Sequence, residues 1–97
     1  LIYWYQKDER FEPGTVADQG DIRLKLSQPE RYVQGEGRKV VCNTWKLYLS
    51  IRTYKENGVR EDLKRAVVVA VFKECNSLEE AQNRAEKWLK AFIKSMR

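Results

Sequence analysis

The 97-residue sequence has no histidine, two cysteines, two prolines and one methionine. Without histidine it lacks the side chain that titrates near neutral pH and the commonest zinc ligand. Cys42 and Cys75 form no Cys-x-x-Cys pair, and two thiols alone cannot close a structural zinc site. Each reads as a small buried hydrophobe near a strand end. Spacing alone leaves a disulfide between them open, although nothing marks the chain as secreted. The longest apolar run, Ala66 to Phe72, is far short of the roughly 20 residues of a membrane-spanning helix. Leu1-Ile2-Tyr3-Trp4-Tyr5 has no basic lead and no small-residue cleavage site, so no signal peptide is read. The missing initiator Met leads us to expect a trimmed or processed fragment, and the location expected is intracellular, cytoplasmic or nucleoid/nuclear.

The remaining chemistry is sparse. Gly35-Glu36-Gly37 lacks the third glycine, the preceding strand and the following helix of a phosphate-cradling loop. Asp18, Asp21 and Glu36 lie near breaker-rich segments, where carboxylates could hold a divalent metal for phosphodiester chemistry. Glu61-Asp62-Leu63-Lys64 contains the acidic-x-Lys fragment of nucleases. That fragment is a frequent accident in a chain that is 34% charged, and a solvated Asp62–Lys64 pair accounts for it. The expectation is no enzyme, no metal and no cofactor.

What the chain does have is an apolar fraction of 42% and a net charge of +5. At this length roughly 60–65% of the unfolded surface can be buried, enough for one modest core, so residues 1–97 read as a single domain. The charge is unevenly placed. Residues 1–37 and 66–83 each sum to −2, residues 38–65 to +5 and residues 84–97 to +4. Clustered cations can draw an anionic partner to one face, whereas evenly spread ones mainly serve solubility.

The last segment is the clearest. Ser77-Leu78-Glu79-Glu80 is a capping box with Ser77 as N-cap. Leu78, Ala81, Ala85, Trp88, Leu89, Phe92 and Met96 then recur at steps of three and four, which predicts an amphipathic helix over 78–96. Lys87, Lys90, Lys94 and Arg97 line its opposite face, where the helix dipole also favours cations near the end. From Trp45 to Tyr54, Trp45, Leu47, Leu49, Ile51 and Thr53 alternate with Lys46, Tyr48, Ser50, Arg52 and Tyr54, the period of a half-buried strand. Asn57-Gly58 favours a hairpin turn, with a partner strand from Val59 through Leu63.

Three consecutive valines make Ala66–Phe72 a strand rather than a helix. Apolar residues on both of its faces predict a central position. The helix would cover one side. The other needs either the aromatic cluster Ile2, Tyr3, Trp4, Tyr5 and Phe11, or a second subunit in a homodimer. Ile22–Ser27 alternates as a short strand, Leu1–Gln6 reads as an edge strand, and Val40-Val41 as the start of a strand running into Trp45. Asp8–Gly20 and Gln28–Arg38 hold four of the five glycines and both prolines and read as loops. Together these predict an α+β fold, an antiparallel sheet of four to five strands with one long C-terminal helix packed on one face.

If Trp45, Leu47, Leu49 and Ile51 face the helix, then Lys46, Tyr48, Ser50, Arg52 and Tyr54 project the other way. Cations interleaved with tyrosines can meet phosphates and stack on bases. Arg60, Lys64 and either Arg38 or Lys39 would extend the patch if the neighbouring strand keeps register. Tyr and Arg are also good cross-strand neighbours on any exposed sheet. Val67, Val69 and Val71 on this same face would instead favour protein contact. The candidate nucleic-acid-binding residues are therefore Lys46, Tyr48, Arg52, Tyr54, Arg60 and Lys64. The alternative is a small protein-interaction module, a regulator or inhibitor that binds a partner or itself through the sheet.

Trp45-Lys46-Leu47-Tyr48, Asn57-Gly58, and Phe72 leading to Ser77-Leu78-Glu79-Glu80-Ala81 resemble a known pattern. Over residues 45–93 the chain looks like the three-stranded-sheet-plus-helix DNA-binding modules, the arm-type domain of tyrosine recombinases and its AP2-like relatives. The resemblance implies a sheet laid into the major groove, with Lys46, Tyr48, Arg52, Arg60 and Lys64 at the DNA.

Overall fold

The computed structural model describes residues 2–51 and 66–95, with the backbone alone of Thr53–Tyr54 and Arg60–Glu61. Its strands are β1 (Trp4–Tyr5), β2 (Val16–Gln19), β3 (Ile22–Ser27), β4 (Glu30–Val33), β5 (Gly37–Val40), β6 (Thr44–Ile51), β7 (Thr53–Tyr54), β8 (Arg60–Glu61) and β9 (Val67–Lys73). One helix, α1 (Leu78–Ser95), follows. Five strands form an antiparallel sheet in the order β1-β2-β3-β6-β9. β4 with β5 and β7 with β8 make two further two-stranded ladders. The fold is α+β.

Two segments that read as loops contain strands. β2 lies within Asp8–Gly20 and joins β3 through Gly20-Asp21, where Gly20 has φ +61°. Glycine at the first central position is the requirement of a type II′ hairpin, so Gly-Asp carried a turn signal. Gln28–Arg38 holds most of the β4–β5 hairpin, whose turn is closed by the Glu36 N–H donating to the Val33 carbonyl at 3.0 Å. Gly35, at φ +83°, takes the positive-φ position of that turn.

The core lies between the sheet and α1. Leu24, Leu26, Trp45 and Leu47 from the sheet meet Ala81, Ala85 and Leu89 from the helix, with Cys75 at the junction. Ala81 and Ala85, at the centre of the sheet-facing side of the helix, are fully buried. Ile2, Trp4, Val69, Ala70 and Phe72 pack around this centre, and the Trp4 indole N–H donates to Glu86 Oε1 at 3.2 Å.

Local chemistry fixes where α1 begins. The Glu80 N–H donates to Ser77 Oγ at 3.1 Å, the N-cap bond that the sequence predicts. The returning bond runs to Glu80 Oε2 from the Asn76 N–H, one residue before the cap. Glu74 turns the chain from β9 towards the helix at φ +54°, an unfavourable region for a side chain with a Cβ. Arg84 offsets that cost by donating to the carbonyls of Lys73 and Glu74 at 2.8 and 3.4 Å while pairing with Glu80 at 2.7 Å.

Several expectations are corrected. Among the described residues β9 is an edge strand, because β3 occupies the far flank of β6 and leaves β9 with one neighbour. The N-terminal aromatics do not cover it: β1 forms the opposite edge of the sheet, and Ile2 and Trp4 pack into the core on the helix side. Cys75 is buried, but Cys42 is exposed, and both thiols are free. Ile51 is 51% exposed at the end of its strand, whereas Ser50 on the other face is buried. Met96, the Asn57-Gly58 turn, and Val59 and Leu63 of the expected partner strand lie outside the described residues.

Gly14 ties the N-terminal loop to α1. Its carbonyl accepts from Gln82 Nε2 at 2.6 Å, its φ is +77°, and an added Cβ would stand 2.9 Å from that same nitrogen. Gly14→Ala is expected to lower unfolding free energy by about 1–2 kcal/mol, since φ above zero and a steric clash act together. Urea denaturation followed by circular dichroism checks this, with Gly35→Ala as the comparison that has no clash.

Candidate nucleic-acid interface

Alternation sends every second residue of β3 and β6 away from α1. The ladder pairs Lys25 with Tyr48, Ser27 with Lys46 and Arg23 with Ser50. Across the other edge of β6, Lys46 faces Val71, Thr44 faces Lys73 and Tyr48 faces Val68. Lys25, Lys46 and Lys73 therefore descend diagonally across three adjacent strands. Each step is one strand across and two residues along, about 8 Å from sheet geometry. β3, β6 and β9 contain no acidic residue at all.

The pairing between β6 and β9 is interrupted. Leu47 faces Ala70, but Tyr48 faces Val68, so Val69 is an extra residue in β9. The bulge shifts the strand's phase. Val68 and Val71 share the lysine face, while Val67 is in register with Leu49 on the helix side and Val69 packs against the core. Of the three valines expected on the basic face, only Val71 lies there, joined by Val68.

The aromatic rings beside the lysines are not freely presented. The Lys25 ammonium sits 4.7 Å from the Phe11 ring centroid and 5.6 Å from that of Tyr48, a cation held between two π faces. A tight turn positions Phe11. Asp8 accepts from the Arg10 backbone at 2.8 Å and from its guanidinium at 2.9 and 3.1 Å, and the Phe11 N–H donates to the Asp8 carbonyl at 3.0 Å. Further along, Asp18 Oδ1 accepts from Arg23 Nε at 2.8 Å, and Asp18 Oδ2 accepts from the Tyr5 hydroxyl at 2.7 Å. Tyr5 in turn stacks with exposed Tyr3.

The predicted site residues divide as follows. Lys46 and Tyr48 lie together on the face. Tyr54 and Arg60 stand opposite each other in the β7–β8 ladder, their side chains outside the described residues. Arg52 and Lys64 lie outside the described residues altogether. Arg38 and Lys39 belong to the separate β4–β5 hairpin and do not extend the sheet: Arg38 pairs across it with Tyr32, and Lys39 with Arg31. Exposed Arg31 and Lys39 thus sit directly opposite as like charges. Lys25 and Lys73 are the cations that sequence reasoning missed. Lys25 alternates visibly with Leu24 and Leu26, but its role depends on β3 being the neighbour of β6.

Lys87, Lys90 and Lys94 are exposed on α1, away from this face. A cleft of about 280 Å³ opens where the β4–β5 hairpin leaves the sheet, walled by Phe11, Thr15, Lys25, Gln28, Val40 and Trp45. The buried Trp45 indole N–H has no acceptor among the described residues. No three metal-ligating side chains cluster among the described residues, and no described helix is long and apolar enough to cross a membrane. Asp18 engages Tyr5 and Arg23 instead. Comparison with protein families, curated proteins and solved structures finds no match for the chain.

Hydrogen bonds from the Arg10 side chain and backbone lower the Asp8 carboxyl from its ordinary 3.8 to about 2. A depressed carboxyl pKa favours the turn above the ordinary value, and that contribution is lost as pH falls through about 2. In an NMR pH titration, Asp8 should therefore titrate near 2, with Phe11 and Tyr48 ring shifts following it. Arg10→Met should return the Asp8 midpoint towards 3.8.

Proposed function

We propose that the chain is a non-enzymatic nucleic-acid-binding domain, with DNA the expected ligand, that meets phosphates with the sheet face opposite α1. The observation that carries this reading is the Lys25–Lys46–Lys73 diagonal on three strands free of acidic residues. Cations fixed on a rigid sheet lose little entropy on binding and release counterions from the phosphate backbone. Tyr48 holds Lys25 in place more than it offers a free ring for stacking. The resemblance of residues 45–93 to sheet-plus-helix DNA-binding modules supports the same face, since those modules also keep the helix behind the sheet. Arg52, Tyr54, Arg60 and Lys64 stay candidate contacts on the sequence reading alone. The two free thiols fit a reducing, intracellular compartment.

A second reading, a protein-interaction module, draws on the exposure of Val67, Val68 and Val71 at the sheet edge.

Fluorescence polarisation with labelled duplex and single-stranded probes across a salt series separates the two. The parent chain should bind at low ionic strength, with log affinity falling linearly against log salt. Lys46→Glu with Lys73→Glu should cost about tenfold or more and flatten the slope by about 2, roughly one per lost phosphate contact. Binding that ignores salt, or no binding to either probe at low salt, contradicts the reading.

A further inference from the structure

Among the described residues, the outer side of β9 lacks most of the protection that sheet edges carry. Folded proteins guard sheet edges with charges, prolines, short strands, bulges or covering loops, and of these β9 has one bulge and a terminal lysine. β9 is seven residues long, has no proline and carries no charge before Lys73. Its outer side has no strand among the described residues. Val67, Val68 and Val71 are 54%, 45% and 47% exposed. Its one irregularity, the bulge at Val69, also sets which face each residue occupies.

That pattern is self-complementary. On the helix side lie Val67, Val69, Ala70 and Phe72, and on the lysine face lie Val68 and Val71. Read backwards from Phe72 to Val67, the order of faces is the same. Residues directly opposite in an antiparallel pair must share a face, and a two-fold axis pairs each strand with its own reverse. With the axis between Val69 and Ala70, Val67 meets Phe72, Val68 meets Val71 and Val69 meets Ala70. The next best two-fold register, with Val68 opposite Lys73 and Val69 opposite Phe72, matches faces at four residues and fails at its centre, where Ala70 would meet Val71. Without the bulge, Val68 and Val71 would fall on opposite faces and this register would fail.

We propose that β9 pairs antiparallel with β9 of a second copy of this chain, joining two five-stranded sheets into one continuous sheet. Val68 and Val71 of both copies then form an apolar cluster on the lysine face, and Val67 covers Phe72 of the other copy on the helix side. The seam is uncharged. Each Lys73 falls beyond the paired residues at its own end, so the two lysine diagonals extend outward without facing each other. The pairing does not depend on what the lysine face binds.

Sedimentation velocity on nuclease-treated protein, without added nucleic acid, tests it. The parent chain should sediment with twice the mass of one chain at micromolar to millimolar concentration. Val68→Lys alone and Val71→Glu alone should each be monomeric, with helix content unchanged by circular dichroism. Mixing the two variants should restore a dimer, because this register sets the substituted position 68 of one copy against position 71 of the other. A parent chain that stays monomeric throughout the range overturns the proposal. So does a dimer that both single substitutions leave intact, or a mixture that stays monomeric.

Discussion

Leu47 stands opposite Ala70 and Tyr48 opposite Val68, which leaves Val69 without a partner across β6. Much of the surface follows from that single inserted residue. Before the bulge, Val67 and Val68 alternate in one phase, and after it Val71 and Lys73 alternate in the other. Val69 and Ala70 both turn towards the core, so the strand keeps its contact with α1. Val68, Val71 and Lys73 are thereby collected on the face that also carries Lys46 and Lys25. A regular strand would send Val68 to the helix side and break both the apolar edge and its symmetry.

The sheet was legible in the sequence where hydrophobic alternation was strict, and illegible where tertiary pairing decided. Ile22–Ser27 and Trp45–Ile51 show their periodicity openly, and the Ser77 cap announces the helix to the residue. β2 was hidden because Val16-Ala17-Asp18-Gln19 is short and lies among breakers. Its pairing with β3 depends on Gly20 reaching positive φ. The β4–β5 hairpin, Glu-Arg-Tyr-Val against Gly-Arg-Lys-Val, has no apolar face and so gives no burial signal. Periodicity placed β9 as a strand but not at the edge. Two apolar faces look the same whether a neighbouring strand or nothing lies alongside.

The candidate site was half legible for the same reason. Lys46 and Tyr48 follow from alternation within one strand, and the structure brings them together. Lys25 and Lys73 join them only because β3 and β9 flank β6, a fact of topology that local pattern does not carry. The hairpin cations Arg38 and Lys39 looked adjacent to the patch along the chain, yet they sit on a separate ladder. Electrostatics on the sheet separates residue by residue, even along β3. Arg23 is committed to Asp18, whereas the diagonal lysines lie on strands without a carboxylate. α1 offers a second basic stripe, but cations towards a helix C-terminus are also what its dipole favours.

Amide chemical shifts provide the most direct measurement. In ¹⁵N-HSQC spectra recorded at low salt while a short DNA duplex is added, the shifts should concentrate on Lys25, Lys46, Tyr48 and Lys73 and on their ladder neighbours. Lys87, Lys90 and Lys94 on α1 should stay in place, and raising the salt should reverse the changes. Shifts confined to α1, or none on the sheet at a concentration where the duplex binds, would contradict the sheet face as the nucleic-acid interface.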